Sequence, residues 1–144
     1  MRPRTRARAW TLQILYAWES RDAAVALSAV LADFLAERRI AQASQEYLFR
    51  LVRVIDDRLA EIDVTLQDSL TNWRLERLSR IDRNVLRIGA AELIGMPDVP
   101  PRTSIQEAIL LAEKYGSNES PRFVNGVLDA LMKKTEASRT GARL

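Results

Sequence analysis

From Arg4 to Leu131 apolar residues recur every three or four positions, and no stretch shows the period-two alternation of a half-buried strand. That periodicity commits the chain to helices. The stripe is most regular over 44–68, where Leu48, Leu51, Val52, Ile55, Leu59, Ile62 and Leu66 share one face. Asp56, Asp57, Glu61 and Asp63 lie away from it and read as a solvated acidic face. Leu27, Val30, Leu31, Phe34 and Leu35 repeat the pattern over 23–40, and Trp10, Ile14 and Trp18 recur at four-residue spacing before that.

The breaks between stripes set the element boundaries. Leu70-Thr71-Asn72-Trp73 interrupts the longest stripe and predicts a seam between two halves, followed by a short helix over 73–78. Ser79 stands as an N-cap, with Asp82 three residues on, for a helix that carries Ile81, Val85, Ile88 and Leu93 to about Gly95. The prolines of 97–101 lack an N–H and restrict their predecessors, so no helix continues through them. Ser104-Ile105-Gln106-Glu107 reads as a capping box, and Gly116 as the end of that helix. Ser120-Pro121 opens the last helix, whose stripe is Val124, Val127, Leu128 and Leu131. The polar segment 135–144 has no stripe and is expected to fray. The expected fold is all-α: a compact single-domain bundle of six to seven helices in two subdomains, about 4–70 and 71–134.

Composition then narrows the chemistry. At 144 residues the chain has one domain's worth of core, and 47% apolar with 28% charged residues is an ordinary globular balance. Cysteine and histidine are both absent, which excludes disulfides, thiolate zinc sites, cysteine nucleophiles, HExxH metal sites and imidazole bases. No catalytic site, metal site or cofactor is expected. No uninterrupted apolar run reaches the roughly 18 residues of a membrane span. The basic start lacks the apolar stretch of a secretory signal.

Charge is polarised along the chain. Residues 1–18 carry four arginines and no acid, whereas 19–70 carry six basic and ten acidic groups. Nineteen of the 22 cations are arginine, a fork that fits phosphate bidentately, although codon bias alone accounts for the choice of arginine over lysine. The cluster Arg2, Arg4, Arg6 and Arg8 forms a positive patch, on a helix or in an extended arm, that suits a polyanion or simply a solvated terminus. It carries no apolar stripe, so removing residues 1–8 is expected to leave the fold intact. Gln13 and Tyr16 follow the arginines; an amide can read a base edge and a phenol can stack, while burial in the core is the competing fate of the ring.

Three stretches together resemble the bacterial transcription antitermination factor NusB family. The first is Ala7-Arg8-Ala9 with Leu12-Gln13-Ile14-Leu15-Tyr16, and the second runs from Ile81-Asp82-Arg83-Asn84-Val85-Leu86-Arg87-Ile88 to Asp98-Val99-Pro100. The third joins Glu107-Ala108 and Leu111-Ala112-Glu113-Lys114-Tyr115-Gly116 to Phe123-Val124-Asn125-Gly126-Val127-Leu128-Asp129. Order and spacing agree from residue 4 to about 131; Gln106 and Ala91 depart from the usual pattern.

The resemblance implies a non-catalytic, cytoplasmic RNA-binding adaptor in two three-helix-like subdomains. Its partners would be single-stranded boxA RNA and NusE, a small-subunit ribosomal protein, with other Nus factors and RNA polymerase engaged indirectly during ribosomal RNA transcription. Relatives occur as monomers and as homodimers. Carried over to this sequence, the RNA-contacting positions are Arg2, Arg4, Arg6, Arg8, Gln13 and Tyr16, then Glu119, Arg122 and Phe123, with Asp82 as a weaker match. Gly126, inside the last helix, is expected where a neighbouring helix approaches closely. Two other readings compete: the NusB-like domain of an RNA cytosine methyltransferase, and a purely protein-interacting helical module.

Overall fold

The computed structural model describes residues 1–22 and 24–142, with side chains through Ser138. It contains six α-helices and a short 3-10 turn: α1 (Pro3–Ser20), α2 (Leu27–Glu37), α3 (Gln42–Ser69), the turn Leu75–Arg77, α4 (Arg80–Gly95), α5 (Pro101–Tyr115) and α6 (Ser120–Ala142). The described residues form no strand. The chain divides into two compact units, Met1–Leu59 and Ala60–Leu144.

That boundary differs from the expected seam at 70–73. It falls inside α3, beside Arg58, whose φ of −124° and ψ of 22° leave the helical region. The apolar stripe runs through the break in register, so periodicity gives no sign of it.

In the first unit α1 packs on α2. Leu12, Ile14 and Leu15 of α1, Leu27, Val30 and Phe34 of α2, and Leu48, Leu51, Val52 and Ile55 of α3 are buried, as the stripes require. Trp10 meets Phe34 edge to face at 6.5 Å. The Trp18 indole donates to the Val25 carbonyl at 2.9 Å and ties the α1–α2 connection to the end of α1. α2 begins at Leu27 rather than 23, and Ala23 lies outside the described residues.

In the second unit α4, α5 and α6 pack against one another in all three pairings. Residues Arg83 to Leu93 of α4 are buried without interruption, so the middle of this helix is enclosed on every side. Ser79 caps it as expected, its Oγ accepting from the Asp82 N–H at 3.1 Å. Asp63, expected on a solvated face, instead takes both Arg87 Nε (2.9 Å) and Nη2 (3.0 Å), because a buried guanidinium demands a carboxylate.

Three other expectations change. The helix α5 starts at Pro101, where proline's fixed φ and missing N–H suit a first turn, so Ser104 is interior and no capping box forms. Residues 135–142 continue α6, since 135–140 contain neither proline nor glycine; 143 and 144 lie outside the described residues. The close approach assigned to Gly126 belongs to Gly89, where an added Cβ would sit 2.5 Å from Cδ1 of the fully buried Leu128. At Gly126 nothing lies within 4 Å.

The two glycines therefore respond oppositely to alanine. Gly89→Ala overpacks the α4–α6 contact and is expected to lower unfolding free energy by about 1 kcal/mol, the overpacking exceeding the helix-propensity gain. Gly126→Ala is expected to raise it by up to about 1 kcal/mol. Urea denaturation of both variants checks the signs.

Candidate nucleic-acid interface

Helix α1 begins at Pro3, so the arginine cluster is helical rather than extended. At 100° per residue, Arg2, Arg6, Gln13 and Tyr16 fall within about 80° of one another, whereas Arg4 and Arg8 point to another side. Exposure follows that division. Arg2, Arg6 and Gln13 are exposed, and Tyr16 is 44% exposed. Its neighbours Leu12 and Leu15 are buried, so the ring is not core. The first turn of α1 contains no acid, and the helix dipole adds to the positive charge there.

Arg8 is corrected: it is 2% exposed and cannot lie on an outer face. Its Nη2 donates to the Tyr47 hydroxyl at 3.3 Å, and its guanidinium lies 5.1 Å from the Tyr47 ring centre. Arg4 approaches the same ring at 4.8 Å and remains exposed. Arg2, Arg4, Tyr47 and Arg50 line a groove of about 430 Å³. Tyr47 and Arg50 were invisible to sequence reasoning, because their positions on α3 carry no motif. Deleting residues 1–8 would remove the buried Ala7 and Arg8, so the fold is not indifferent to it.

The second unit gathers the remaining candidates. Asp82, Glu119, Arg122 and Phe123 line one groove of about 530 Å³ together with Trp73, Arg77, Leu78 and Ser79. Asp82 is fastened there: Ser120 Oγ donates to its Oδ1 at 2.6 Å and itself accepts from the Ser117 N–H at 3.0 Å. These bonds join the first turns of α4 and α6. Gly116 makes the bend possible, since a Cβ there would come within 2.5 Å of Ser120 Oγ. Trp73 and Phe123 meet at 6.4 Å with their planes 77° apart. Trp73 and Arg77 were missed because they sit at the interruption of the helical pattern.

The NusB family model matches residues 5–133. The chain belongs to the NusB family. The transcription antitermination protein NusB of Sorangium cellulosum is 41% identical over 131 residues, spanning 91% of this chain and 92% of that protein. The solved NusB of T. maritima superposes with a TM-score of 0.80 at 37% identity, covering 90% of each chain. A chain from a crystal structure of antitermination factors NusB and NusE with dsRNA gives a TM-score of 0.82 at 30% identity, over 93% of this chain and 98% of that one.

Chemically, an exposed row of guanidinium, amide and phenol groups offers phosphate contacts beside groups able to read a base. Of the four arginines, Arg2, Arg4 and Arg6 are exposed and Arg8 is structural. Arg8→Ala is expected to lower stability by about 1–3 kcal/mol, because it strips a buried hydrogen bond and packing from Tyr47. Arg6→Ala, fully on the surface, is expected to change it by less than about 0.5 kcal/mol. Paired chemical denaturation curves check this.

Proposed function

We propose that this protein is a non-catalytic transcription antitermination factor that binds single-stranded boxA RNA together with NusE. In this reading it joins the RNA polymerase complex and supports ribosomal RNA transcription in the cytoplasm. One observation carries the proposal: the exposed Arg2–Arg6–Gln13–Tyr16 row occurs in a chain that superposes, over 93% of its length, on a NusB solved with NusE and dsRNA. The relatives of matching length are named antitermination proteins, which favours an adaptor over a methyltransferase domain. The described residues include no helix long and apolar enough to cross a membrane.

The proposed mechanism is division of labour on α1. Arg2 and Arg6 neutralise phosphates and release counterions, a contribution blind to sequence. Gln13 and Tyr16 engage an unstacked base, the amide at its edge and the ring against its face. A net charge of +3 supplies few phosphate contacts, so NusE is expected to contribute the rest.

Two measurements test this. The chain is expected to bind boxA RNA weakly alone, and more tightly with NusE, with a matched duplex as comparison. Equal affinity for the single strand with and without NusE would overturn the cooperative reading. In the presence of NusE, Tyr16→Ala should cost roughly 1–3 kcal/mol of RNA binding and Tyr16→Phe much less. Arg6→Ala should weaken all RNAs alike and reduce the salt slope by about one unit.

A further inference from the structure

The sequence holds one pair of adjacent arginines, Arg38-Arg39, and the family resemblance leaves it without a role. It stands at the corner between α2 and α3, where the backbone is fastened on both sides. The Arg38 N–H closes α2 on the Phe34 carbonyl at 3.0 Å. Ile40 is buried, Gln45 Nε2 donates to its carbonyl at 2.8 Å, and the Ser44 N–H donates to the Ala41 carbonyl at 2.9 Å. Both arginines are exposed. Two cations are therefore presented to solvent from a fixed corner.

The corner lies beside the Arg2–Arg6–Gln13–Tyr16 row of α1. The Arg38 guanidinium rests 4.0 Å from the Phe34 ring centre, and that ring meets Trp10 edge to face at 6.5 Å. Trp10 is half-buried and follows Arg6 by one turn of α1, about 40° away by helical phase and on the side opposite Tyr16. Arg38 thus flanks the row across two ring contacts, all inside the first unit.

Internal bonds leave both cations available. A guanidinium packed on a ring keeps N–H donors around its edge. Glu37 meets Arg38 at 3.4 Å with its own side chain 69% exposed, a surface contact that a phosphate can displace. Among the described residues no hydrogen bond or ion pair engages the Arg39 side chain. The negative end of α2 favours one nearby cation, yet Arg39 lies beyond the cap and takes none of the helix carbonyls.

We propose that Arg38 and Arg39 form a phosphate subsite for RNA bound along α1, taking phosphodiesters next to the nucleotide engaged by Gln13 and Tyr16. This rests on the RNA-binding reading above and adds to it two residues of the α2–α3 corner. The layout favours a single strand. A base held at Tyr16 leaves a flexible backbone that can turn across Trp10, and guanidinium groups on both flanks of that path track it.

The test uses the full chain with NusE and boxA RNA, titrated at several salt concentrations. Arg39→Gln is expected to weaken binding about threefold and the double variant Arg38→Gln/Arg39→Gln about tenfold. In the double variant the slope of log affinity against log salt should fall by about 1.4, the value for two phosphates of a single strand. Arg53→Gln is the charge control, since that side chain is 84% exposed on α3 in the same unit; its affinity should stay within about twofold of wild type. Shortening the RNA from each end locates the contact: trimming one end should cost the wild-type protein the affinity that the double variant has already lost, and cost the double variant almost nothing. Urea denaturation checks the fold, and Arg39→Gln alone carries the test if losing the Phe34 contact destabilises Arg38→Gln. If Arg53→Gln weakens binding as much as Arg39→Gln, the effect belongs to net charge and the proposal falls. If the wild-type complex binds RNA and the double variant matches it in affinity and salt slope, the subsite is wrong and the broader function stands. If the double variant instead loses NusE with its own RNA affinity unchanged, the corner is a protein contact and the proposal falls. Failure of the wild-type complex to bind any RNA would remove both.

Discussion

Arg83 and Arg87 sit on a helix whose middle is enclosed on every side, and each must find acceptors inside the protein. Arg87 finds Asp63 on the last part of α3, with Asn84 Oδ1 accepting from its Nη1 at 3.1 Å. Arg83 finds the carbonyls of the 3-10 turn. Two charges on α4 thereby fix where the preceding helix and turn lie. Gln67 follows Asp63 by one helical turn and bonds the Trp73 carbonyl and the Leu75 N–H, so the residue that braces the Trp73 loop is placed by the same ion pair. The groove at Trp73 and Phe123 is a downstream result of neutralising a buried helix.

The first unit solves a related problem differently. Arginines at alternate positions on a helix cannot all face outward. Arg2 and Arg6 do, while Arg4 lies along the Tyr47 ring and Arg8 is sealed beneath it. The ring's negative face lets two like charges approach one region with less mutual cost than an alkyl surface would allow. A cluster that looks uniform in sequence thus has a solvent face and a face turned to Tyr47.

Helix existence was legible because apolar spacing reports burial directly. Leu48 to Leu66, Leu27 to Phe34 and Val124 to Leu131 fall where their stripes put them. The break at Arg58 was not legible, since the stripe stays in phase across it. Nor was the start of α5, where a first-turn proline outweighed an apparent capping box. At the site, Tyr16 and Gln13 could be placed by helical phase once the neighbouring leucines were buried. The fate of Arg8 depended on Tyr47, thirty-nine residues away, and periodicity carries no information at that distance. Gly126 misled for the same reason: spacing shows that a glycine is helical, but only the packed neighbours show whether anything approaches it.

The hydrogen bond between Ser120 and Asp82 has a consequence for how this surface can diversify. Asp82 lines the groove and also fastens α6 to α4, so one carboxylate answers to two demands. A mutation that retuned the groove through Asp82 would loosen a helix start, and a change at Ser120 would release the carboxylate into the groove. Arg77, Glu119 and Arg122 are under no such obligation, being exposed at the rim. Divergence in ligand preference has an open route through those three positions and a closed one through the latch beneath them.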